Sequence, residues 1–248
     1  MDERDYHDHH YAGDAAAIQA GALFQRVHER TARQFLRRTG IGRAHRLLSL
    51  GCGEGSIERR LGPHVGELVG VDISRVAIEQ ARARAESAGL RNLSFVISED
   101  GVRLPDLGRF DAVVAFAFLH HLEDAAIRDA LLEARKALRP GGIFYSEDPS
   151  DRRLLGLFAG LVREAYDRYH SPDERELDPE TLAALAVAAG FSPPEIGYSD
   201  YFLGPLAWLA PGMPRPLAGV LELMDNLALR VPLARRYASS FRLLARAP

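Results

Sequence analysis

The sequence of 248 residues contains a single cysteine, Cys52. One thiol excludes an internal disulfide, and it also excludes a zinc site built from several thiolates. No basic residue lies beside Cys52 in the sequence to lower the pKa of its thiol. We therefore expect Cys52 to fill buried space and not to act as a nucleophile.

Long apolar runs are also missing. No stretch approaches the roughly 20 apolar residues that cross a bilayer, which predicts no transmembrane segment. The segment of residues 1–5 has an acidic excess, and no apolar run of a secretory signal follows it. We therefore expect a cytoplasmic protein.

The chain also lacks a large excess of charge of either sign. The formal net charge is −3, and the arginines are spread along the chain without forming a basic stripe. Proteins that follow a phosphate backbone carry such a stripe, so nucleic acid is disfavoured as a partner. Three histidines near the start, His7, His9 and His10, lack a partner carboxylate on a defined helix, and we predict no metal site.

Apolar runs of strand length alternate with helical periodicity over the first 150 residues. The pattern predicts strands at 46–50, 68–73, 93–97, 110–116 and 143–146, and helices at 14–39, 54–61, 75–88 and 124–138. Ser74 is the expected N-cap of the helix at 75–88. Alternation at this spacing favours βαβ units, and hence an α/β fold with a doubly wound, mostly parallel sheet.

The glycine-rich turn Gly51-Cys52-Gly53-Glu54-Gly55 lies between a predicted strand and a predicted helix. Such a turn lets the backbone approach a ligand closely, and the helix behind it offers unpaired N–H groups. Dinucleotide-binding folds prefer G-x-G-x-x-G, and here Ser56 stands at the position of the third glycine. The match to that fingerprint therefore fails.

An acidic residue, Asp72, ends the second predicted strand, 21 residues after Gly51. A carboxylate at this place can accept both hydroxyls of a ribose. Dinucleotide-binding proteins and other nucleoside-binding proteins share this device, so the glycine loop and the acid indicate a nucleoside-like ligand without naming it.

With these motifs in order, residues 45–150 resemble the class I S-adenosylmethionine-dependent methyltransferases that act on small molecules. The turn Ser98-Glu99-Asp100-Gly101, the segment 110–122 and the turn 138–142 are similar to the family's later motifs. The resemblance implies S-adenosylmethionine as the cofactor and a seven-stranded sheet closed by an antiparallel hairpin, which we assign to 195–202 and 237–246. The predicted cofactor contacts are Gly51, Cys52, Gly53, Gly55, Asp72, Ile73, Asp100, Gly101 and Phe116.

In that family the first motif surrounds the cofactor and the acid that ends strand two binds the ribose. An Asp after strand three contacts the adenine amino group and the next backbone N–H contacts the ring. The resemblance therefore assigns the ribose to Asp72, and the adenine to Asp100 and Gly101. The alternative for Asp100 is a solvated carboxylate that only stabilises a turn.

Three residues are predicted as catalytic. His120 or His121 is the first choice for a general base, because a histidine here has that role in some oxygen-methylating relatives. Glu147 is the second choice, since it lies with Asp148 just past strand five, at the sheet edge where ligands bind. The alternative is a His-His pair that packs and orders the cofactor loop.

The remaining segments suggest three regions. Residues 1–43 would form an N-terminal lid and helix, with Tyr6 and Tyr11 over the cofactor; 44–150 the cofactor-binding core; and 151–248 the C-terminal half. Helices are predicted at 152–169, 179–190 and 217–230. The apolar insertion at 203–236 is expected to cap an apolar acceptor, with a homodimer face as the alternative.

The sequence thus predicts methyl transfer from S-adenosylmethionine to an oxygen, nitrogen or carbon atom of a small, fairly apolar metabolite. Two alternatives are a non-catalytic module that only binds the cofactor and a nicotinamide-dependent oxidoreductase. An arsenic-methylating enzyme is disfavoured, since such enzymes need several cysteines.

Overall fold

The computed structural model describes residues 7–9, 11, 21–154, 174–210 and 212–248. Within them one sheet has the strand order β3-β2-β1-β4-β5-β7-β6. The strands β1 to β5 pair in parallel, and β7 pairs antiparallel with β5 and β6. Their bounds are β1 Arg46–Leu50, β2 Glu67–Asp72, β3 Leu93–Ile97, β4 Phe110–Phe116, β5 Leu138–Pro149, β6 Glu195–Tyr198 and β7 Ser240–Arg246. The predicted doubly wound, seven-stranded sheet with its closing hairpin is confirmed.

Seven α-helices are described in these ranges. They are α1 Ala22–Thr39, α2 Glu58–Leu61, α3 Arg75–Ser87, α4 Asp124–Ala137, α5 Pro179–Ala188, α6 Leu203–Leu209 and α7 Arg215–Ala228. As predicted, Ser74 caps α3, since its hydroxyl accepts a hydrogen bond from the Ala77 N–H at 3.1 Å. The helix predicted at 152–169 falls largely on residues 155–173, outside the described residues.

Helices cover both faces of the sheet. One face packs against α1 through Ala32 and Phe35, which meet inward-facing residues of β1, β4 and β5. The opposite face packs against α4 and α5. The apolar run of β4 is buried on both sides, which is the environment its continuous hydrophobicity predicts.

Four predicted boundaries are corrected. The second helix starts at Glu58 and not at residue 54, because Gly53 and Gly55 have positive φ and cannot continue a helix. Strand β5 begins at Leu138 instead of residue 143; a register irregularity against β4 takes up the Pro-Gly-Gly turn. Strand β7 begins at Ser240 and not at 237, because the preceding residues form a 3-10 turn at Ala234–Tyr237.

The fourth corrected boundary is the end of strand β6, which lies at Tyr198 and not at residue 202. The chain bends there because the carboxylate of Asp225 accepts hydrogen bonds from the backbone N–H groups of Tyr201 and Phe202, each at 2.9 Å. Those N–H groups are therefore withdrawn from the sheet, and α6 begins at Leu203.

Residues 203–237, here called the cap, hold α6, α7 and the 3-10 turn. The cap packs on the first half of α1 through a separate apolar cluster that includes Leu23, Phe24, Leu203 and Leu221. A buried ion pair joins the same elements, with Arg30 on α1 lying 2.9 Å from Asp225 on α7. No helix in the described ranges is long and apolar enough to cross a membrane.

Candidate functional site

The glycine loop leaves the carboxyl end of β1 and is tied directly to Asp72. The Gly53 N–H donates to one carboxylate oxygen of Asp72 at 2.7 Å, and the Ser74 N–H donates to the other at 2.9 Å. Asp72 is 9% exposed. Burial raises the pKa of Asp72, and the hydrogen bonds from Ser74, Gly53 and Ile73 oppose that rise. The two sequence motifs therefore form one connected structure at the sheet edge.

The loop is a cradle in which side chains have no room. A β-carbon on Gly53 would overlap the hydroxyl of Tyr11, and a β-carbon on Gly51 would overlap the ring of Phe118. Both glycines have positive φ, at 52° and 60°. Bare backbone at the end of a parallel strand, beside an acid on the next strand, fits a nucleoside such as the adenosyl group.

The described part of the N-terminal segment lies on this loop. Asp8 accepts a hydrogen bond from the Ser74 hydroxyl and one from the Val76 N–H at 3.2 Å, at the N-terminus of α3. The carbonyl of Tyr11 accepts one from the Gln80 side chain at 2.9 Å. Tyr11 thus lies against the glycine loop, and its role in a lid stays a prediction; the predicted partner Tyr6 lies outside the described residues.

The two residues assigned to the adenine are both engaged within the protein. The Asp100 carboxylate accepts the N–H groups of Val102 and Arg103, at 3.0 and 2.7 Å. These bonds, led by that from Arg103, lower the pKa of Asp100. The Gly101 N–H donates to the Ser98 hydroxyl at 3.0 Å. Asp100 has the geometry of a turn-stabilising carboxylate, and its contact with adenine remains a prediction.

The other predicted cofactor contacts take different environments. Ile73 lies beside Gly101, near the end of β3. Phe116 points into the core under α1, with its ring 5.9 Å from that of Tyr145. Cys52 is buried, as predicted, and burial raises the pKa of its thiol well above the usual value. Cys52 and Phe116 are thus part of two different buried clusters.

His120 follows β4 and contacts Asp148, the last residue but one of β5. Its Nδ1 lies 3.3 Å from Asp148 Oδ1, and its backbone N–H donates to the same oxygen at 3.3 Å. The Asp148 side chain is fully buried and His120 is 8% exposed. A hydrogen bond at Nδ1 leaves Nε2 as the nitrogen that can take a proton.

A second carboxylate, Glu174, lies on the other side of the histidine pair. Its oxygens are 3.9 Å from His120 Nε2 and 3.7 Å from His121 Nδ1. The rings of His120 and His121 are 4.1 Å apart, and the His7 ring packs edge-on against His121 at 5.2 Å. Burial, followed by the charge of His120, lowers the pKa of His7. The described residues contain no cluster suited to a metal ion.

Glu147 does not join His120. Successive strand residues point to opposite faces, so Glu147 shares the α1 face with Tyr145 while Asp148 shares the α4 face with Phe144. Glu147 pairs in register with Arg242 of β7, whose guanidinium donates to Gln34 and to the Tyr198 carbonyl. The predicted catalytic residues thus occupy two different faces of the sheet.

The Glu147 face continues into a buried charged cluster under the cap. Burial raises the pKa of Asp200 to about 6; Arg30 opposes the rise, and Asp225 and Glu147 add to it. Asp200 also accepts a hydrogen bond from the Gly204 N–H at 2.7 Å. These groups anchor the cap to the edge of the sheet.

The sequence analysis assigned no individual role to three residues that the structure brings to the site. Phe118 lies against Gly51, and Glu174 reaches the histidine pair from a distant segment. Ala117, between β4 and the histidines, has a positive φ of 48°. Strained backbone in a residue with a β-carbon is concentrated at functional sites.

Comparison with known proteins agrees with this geometry. A family model described as a methyltransferase domain matches residues 47–142, the segment from β1 to the start of β5. This segment of the chain is therefore similar to the methyltransferase domain family. The methyltransferase GfsG of Streptomyces halstedii is 35% identical over 142 residues, which are 56% of this chain and 50% of that protein.

Solved structures of this family's fold cover nearly the whole chain. A putative methyltransferase of Haloferax volcanii, solved in complex with the Trm112 methyltransferase activator, aligns with a TM-score of 0.67 at 19% identity, over 97% of this chain and 98% of that one. The cyclase SpnF aligns with a TM-score of 0.61 at 21% identity, over 89% and 81%. A methyltransferase fold can thus belong to a protein named for another reaction, so the reaction must be argued from the site.

The alignments with curated methyltransferases and related proteins are partial. The chain spans about half the length of the curated relatives it matches, between 44% and 56% for the most similar ones. The cofactor of the class I family is S-adenosylmethionine.

Proposed function

We propose that the chain binds S-adenosylmethionine and transfers its methyl group to an oxygen, nitrogen or carbon atom of a small, fairly apolar metabolite. The observation that carries the proposal is the connection between the glycine loop and Asp72 beside the His120–Asp148 pair. A nucleoside cradle and a buried histidine–carboxylate pair lie at the carboxyl ends of neighbouring parallel strands. Ligands bind at that edge in open α/β sheets.

The residues of the chain would share the work as follows. Gly51, Gly53 and Gly55 admit the cofactor to bare backbone, and Asp72 receives the ribose hydroxyls. Asp100 and Gly101 would meet the adenine after releasing their present hydrogen bonds. Bound S-adenosylmethionine supplies a methyl group already activated by a positive sulfur, so the protein contributes chiefly alignment and exclusion of water.

His120 is the residue proposed to hold the acceptor's proton. With Nδ1–H donated to Asp148, Nε2 accepts a proton from an acceptor hydroxyl or amine as the new bond forms. The carboxylates of Asp148 and Glu174 lie on either side of the ring. The positive charge that His120 gains is therefore compensated. Glu147, on the α1 face, stays the second candidate for the general base.

The acceptor is proposed to lie between the sheet edge and the cap. The inner side of the cap offers aromatic and aliphatic surface, including Trp208 and Leu206, and the charged cluster at Glu147 and Arg242 offers polar anchors. Pockets for small metabolites combine apolar walls with a few polar groups in this way.

The test separates binding from catalysis. Calorimetry should show binding of S-adenosylmethionine to the wild type and a loss of affinity in Asp72→Ala, with unchanged circular dichroism. Transfer of a tritiated methyl group to a panel of apolar metabolites should fall about a hundredfold or more in His120→Ala, with cofactor affinity retained.

Each alternative predicts a different result. Cofactor binding without transfer to any acceptor would identify a non-catalytic binding module. Hydride transfer from a nicotinamide cofactor would identify an oxidoreductase. Unchanged affinity in Asp72→Ala would overturn the ribose assignment.

A further inference from the structure

The side of the cap that faces away from α1 is apolar and exposed. Six large apolar side chains of α7 and the residues just after it are each more than 40% exposed: Leu217, Val220, Leu223, Met224, Leu227 and Val231. Leu233, in the next turn, is 80% exposed. We call this surface, from residue 215 to residue 237, the outer face of the cap. Contiguous apolar surface of this kind marks interaction sites.

The outer face is a regular stripe on one helix. At about 100° per residue, the five exposed residues of α7 fall within an arc of roughly 120°. The buried residues Ala218, Leu221 and Asp225 occupy a different arc, directed at α1. The helix therefore has two apolar sides, and among the described residues only the side with Ala218 and Leu221 packs in an apolar cluster.

The exposed charged side chains of this segment are all arginines. Arg215, Arg230, Arg235 and Arg236 are exposed. The two acidic residues between positions 212 and 238, Glu222 and Asp225, are buried and paired with arginines of α1. This segment, which is described in full, therefore presents apolar and cationic groups to the outside and no exposed carboxylate.

We infer that the outer face of the cap docks on a bilayer surface that contains anionic phospholipid. A helix with leucine and methionine on one side and arginine at its borders lies in the interface with its apolar side among the acyl chains. The arginines meet the phosphate-bearing headgroups, and each contributes binding free energy near an anionic surface. The charge complementarity selects an anionic leaflet over a neutral one.

A second copy of the chain fits this surface less well. In a two-fold symmetric dimer the same patch would lie on both sides of the interface. The arginine borders would then face one another with no exposed carboxylate from residues 212–238 to pair with them. An anionic leaflet supplies the missing negative charge.

Docking stands apart from the proposed methyl transfer, because none of these residues belongs to the glycine loop or the histidine pair. Docking would place the acceptor side of the sheet edge near the bilayer, where apolar metabolites accumulate. Failure of either proposal would leave the other intact.

The experiment is sedimentation of the full chain with lipid vesicles. Wild type should sediment with vesicles of equal parts phosphatidylcholine and phosphatidylglycerol, and much less with phosphatidylcholine alone. Added salt should reduce the bound fraction, because exposed charges are screened.

Two variants divide the contributions. The variant L223Q/L227Q removes apolar surface, and R230Q/R235Q/R236Q removes charge. Each should weaken vesicle binding by roughly tenfold to a hundredfold. The control L132Q/V187Q replaces exposed apolar residues on α4 and α5 and should bind as wild type does.

Three results would overturn the inference. Wild type could fail to sediment with anionic vesicles, or both outer-face variants could bind as tightly as wild type. Alternatively, light scattering could show a dimer that L223Q/L227Q disrupts, without vesicle binding, and the outer face would then be an interface between two copies. Circular dichroism of each variant checks that the fold is retained.

Discussion

Asp148 holds His120 in a single orientation, since one carboxylate oxygen contacts both the ring Nδ1 and the backbone N–H of the histidine. Because the carboxylate of Asp148 accepts a hydrogen bond at Nδ1 of His120, it also favours the tautomer with the proton on Nδ1. We therefore treat Asp148 as a positioning residue: it acts on the acceptor only through His120.

Asp148→Asn tests that role. An amide can keep the side-chain volume but cannot stabilise the imidazolium, so kcat should fall about tenfold to a hundredfold. The acidic limb of the kcat–pH profile should also move. The exposed Asp129→Asn on α4 is the control. A uniform loss of rate at every pH, with no change in the profile, would indicate a purely structural role.

Glu58 is a buried acid beneath the glycine loop. Its carboxylate accepts a hydrogen bond from the Ser49 hydroxyl at 2.6 Å. Burial raises the pKa of Glu58 from 4.5 to about 7, although the Ser49 bond opposes this. The folded state thus holds a proton that the unfolded state loses between about pH 4.5 and 7, so wild-type stability falls across that window as pH rises.

Glu58→Gln has no proton to lose and should not show that decline. Relative to wild type, its free energy of unfolding should rise by about 3 kcal/mol from pH 4.5 to pH 7, an order-of-magnitude figure. Urea unfolding at several pH values measures the difference. Glu79→Gln, at an exposed site on α3, controls for the loss of one carboxylate. A pH-independent difference would contradict the prediction.

The residues of the site differ in how far the sequence could predict them. Asp72 could be predicted because it ends the strand that follows the glycine loop in the sequence. Consecutive parallel strands of this kind lie side by side, so their carboxyl ends meet at the same edge of the sheet. Glu147 and Asp148 could not be ranked, because which of two consecutive strand residues faces His120 depends on the register of β5 against β4 and β7. Glu174 could not be found, since only the folded chain brings it to the histidines.

At the scale of elements, the junction of α1 with α7 depends on a buried ion pair. Arg30 and Asp225 are 4% and 0% exposed and 2.9 Å apart. Asp225 also holds the bend at Tyr201 and Phe202. Removing one partner of a buried pair leaves the other charge uncompensated, which costs more than the pair itself contributes.

Asp225→Asn should therefore lower the free energy of unfolding by about 3–5 kcal/mol. The partly exposed pair Arg46–Glu67, at 2.7 Å, is the comparison; Glu67→Gln should cost less, about 1 kcal/mol. Urea titration compares both with wild type. Equal losses in the two variants would show that burial does not determine the effect.

Of the two helices of the cap, α7 was predicted at 217–230 and is present at Arg215–Ala228, whereas α6 was not predicted. The segment Leu203–Leu209 contains a glycine and a proline in its first turn, which the sequence presents as a loop. A proline is tolerated there because the first-turn N–H groups have no helical partner. The end of β6 was also predicted wrongly. The carboxylate that ends this strand belongs to Asp225 on α7, and the local sequence around β6 does not show that contact.

For the whole molecule, α1 is the common wall of two apolar clusters. Phe35 packs against the sheet, and Phe24 packs against the cap, with its ring 4.7 Å from that of Trp208. The helix pattern of α1 could be predicted from its apolar spacing. The sequence could not show that the two halves of α1 pack in different clusters, because the apolar spacing of a helix does not indicate which element covers each half.

This arrangement predicts one cooperative unfolding transition. Trp208 is the only tryptophan of the sequence, so its fluorescence reports the cap, while far-UV circular dichroism reports the whole chain. Because α1 belongs to both clusters, the two signals should change at the same urea concentration. A fluorescence change that precedes the dichroism change would show that the cap unfolds on its own.

The arginine borders of the outer face have a practical consequence. Lys136 is the one lysine of the sequence, and it lies well exposed on α4, across the sheet from α1 and the cap. Coupling a solid support to the lysine amine would tether the chain by the side opposite the cap. Molecules attached through Lys136 would then present the arginines and leucines of the outer face away from the support, in one orientation.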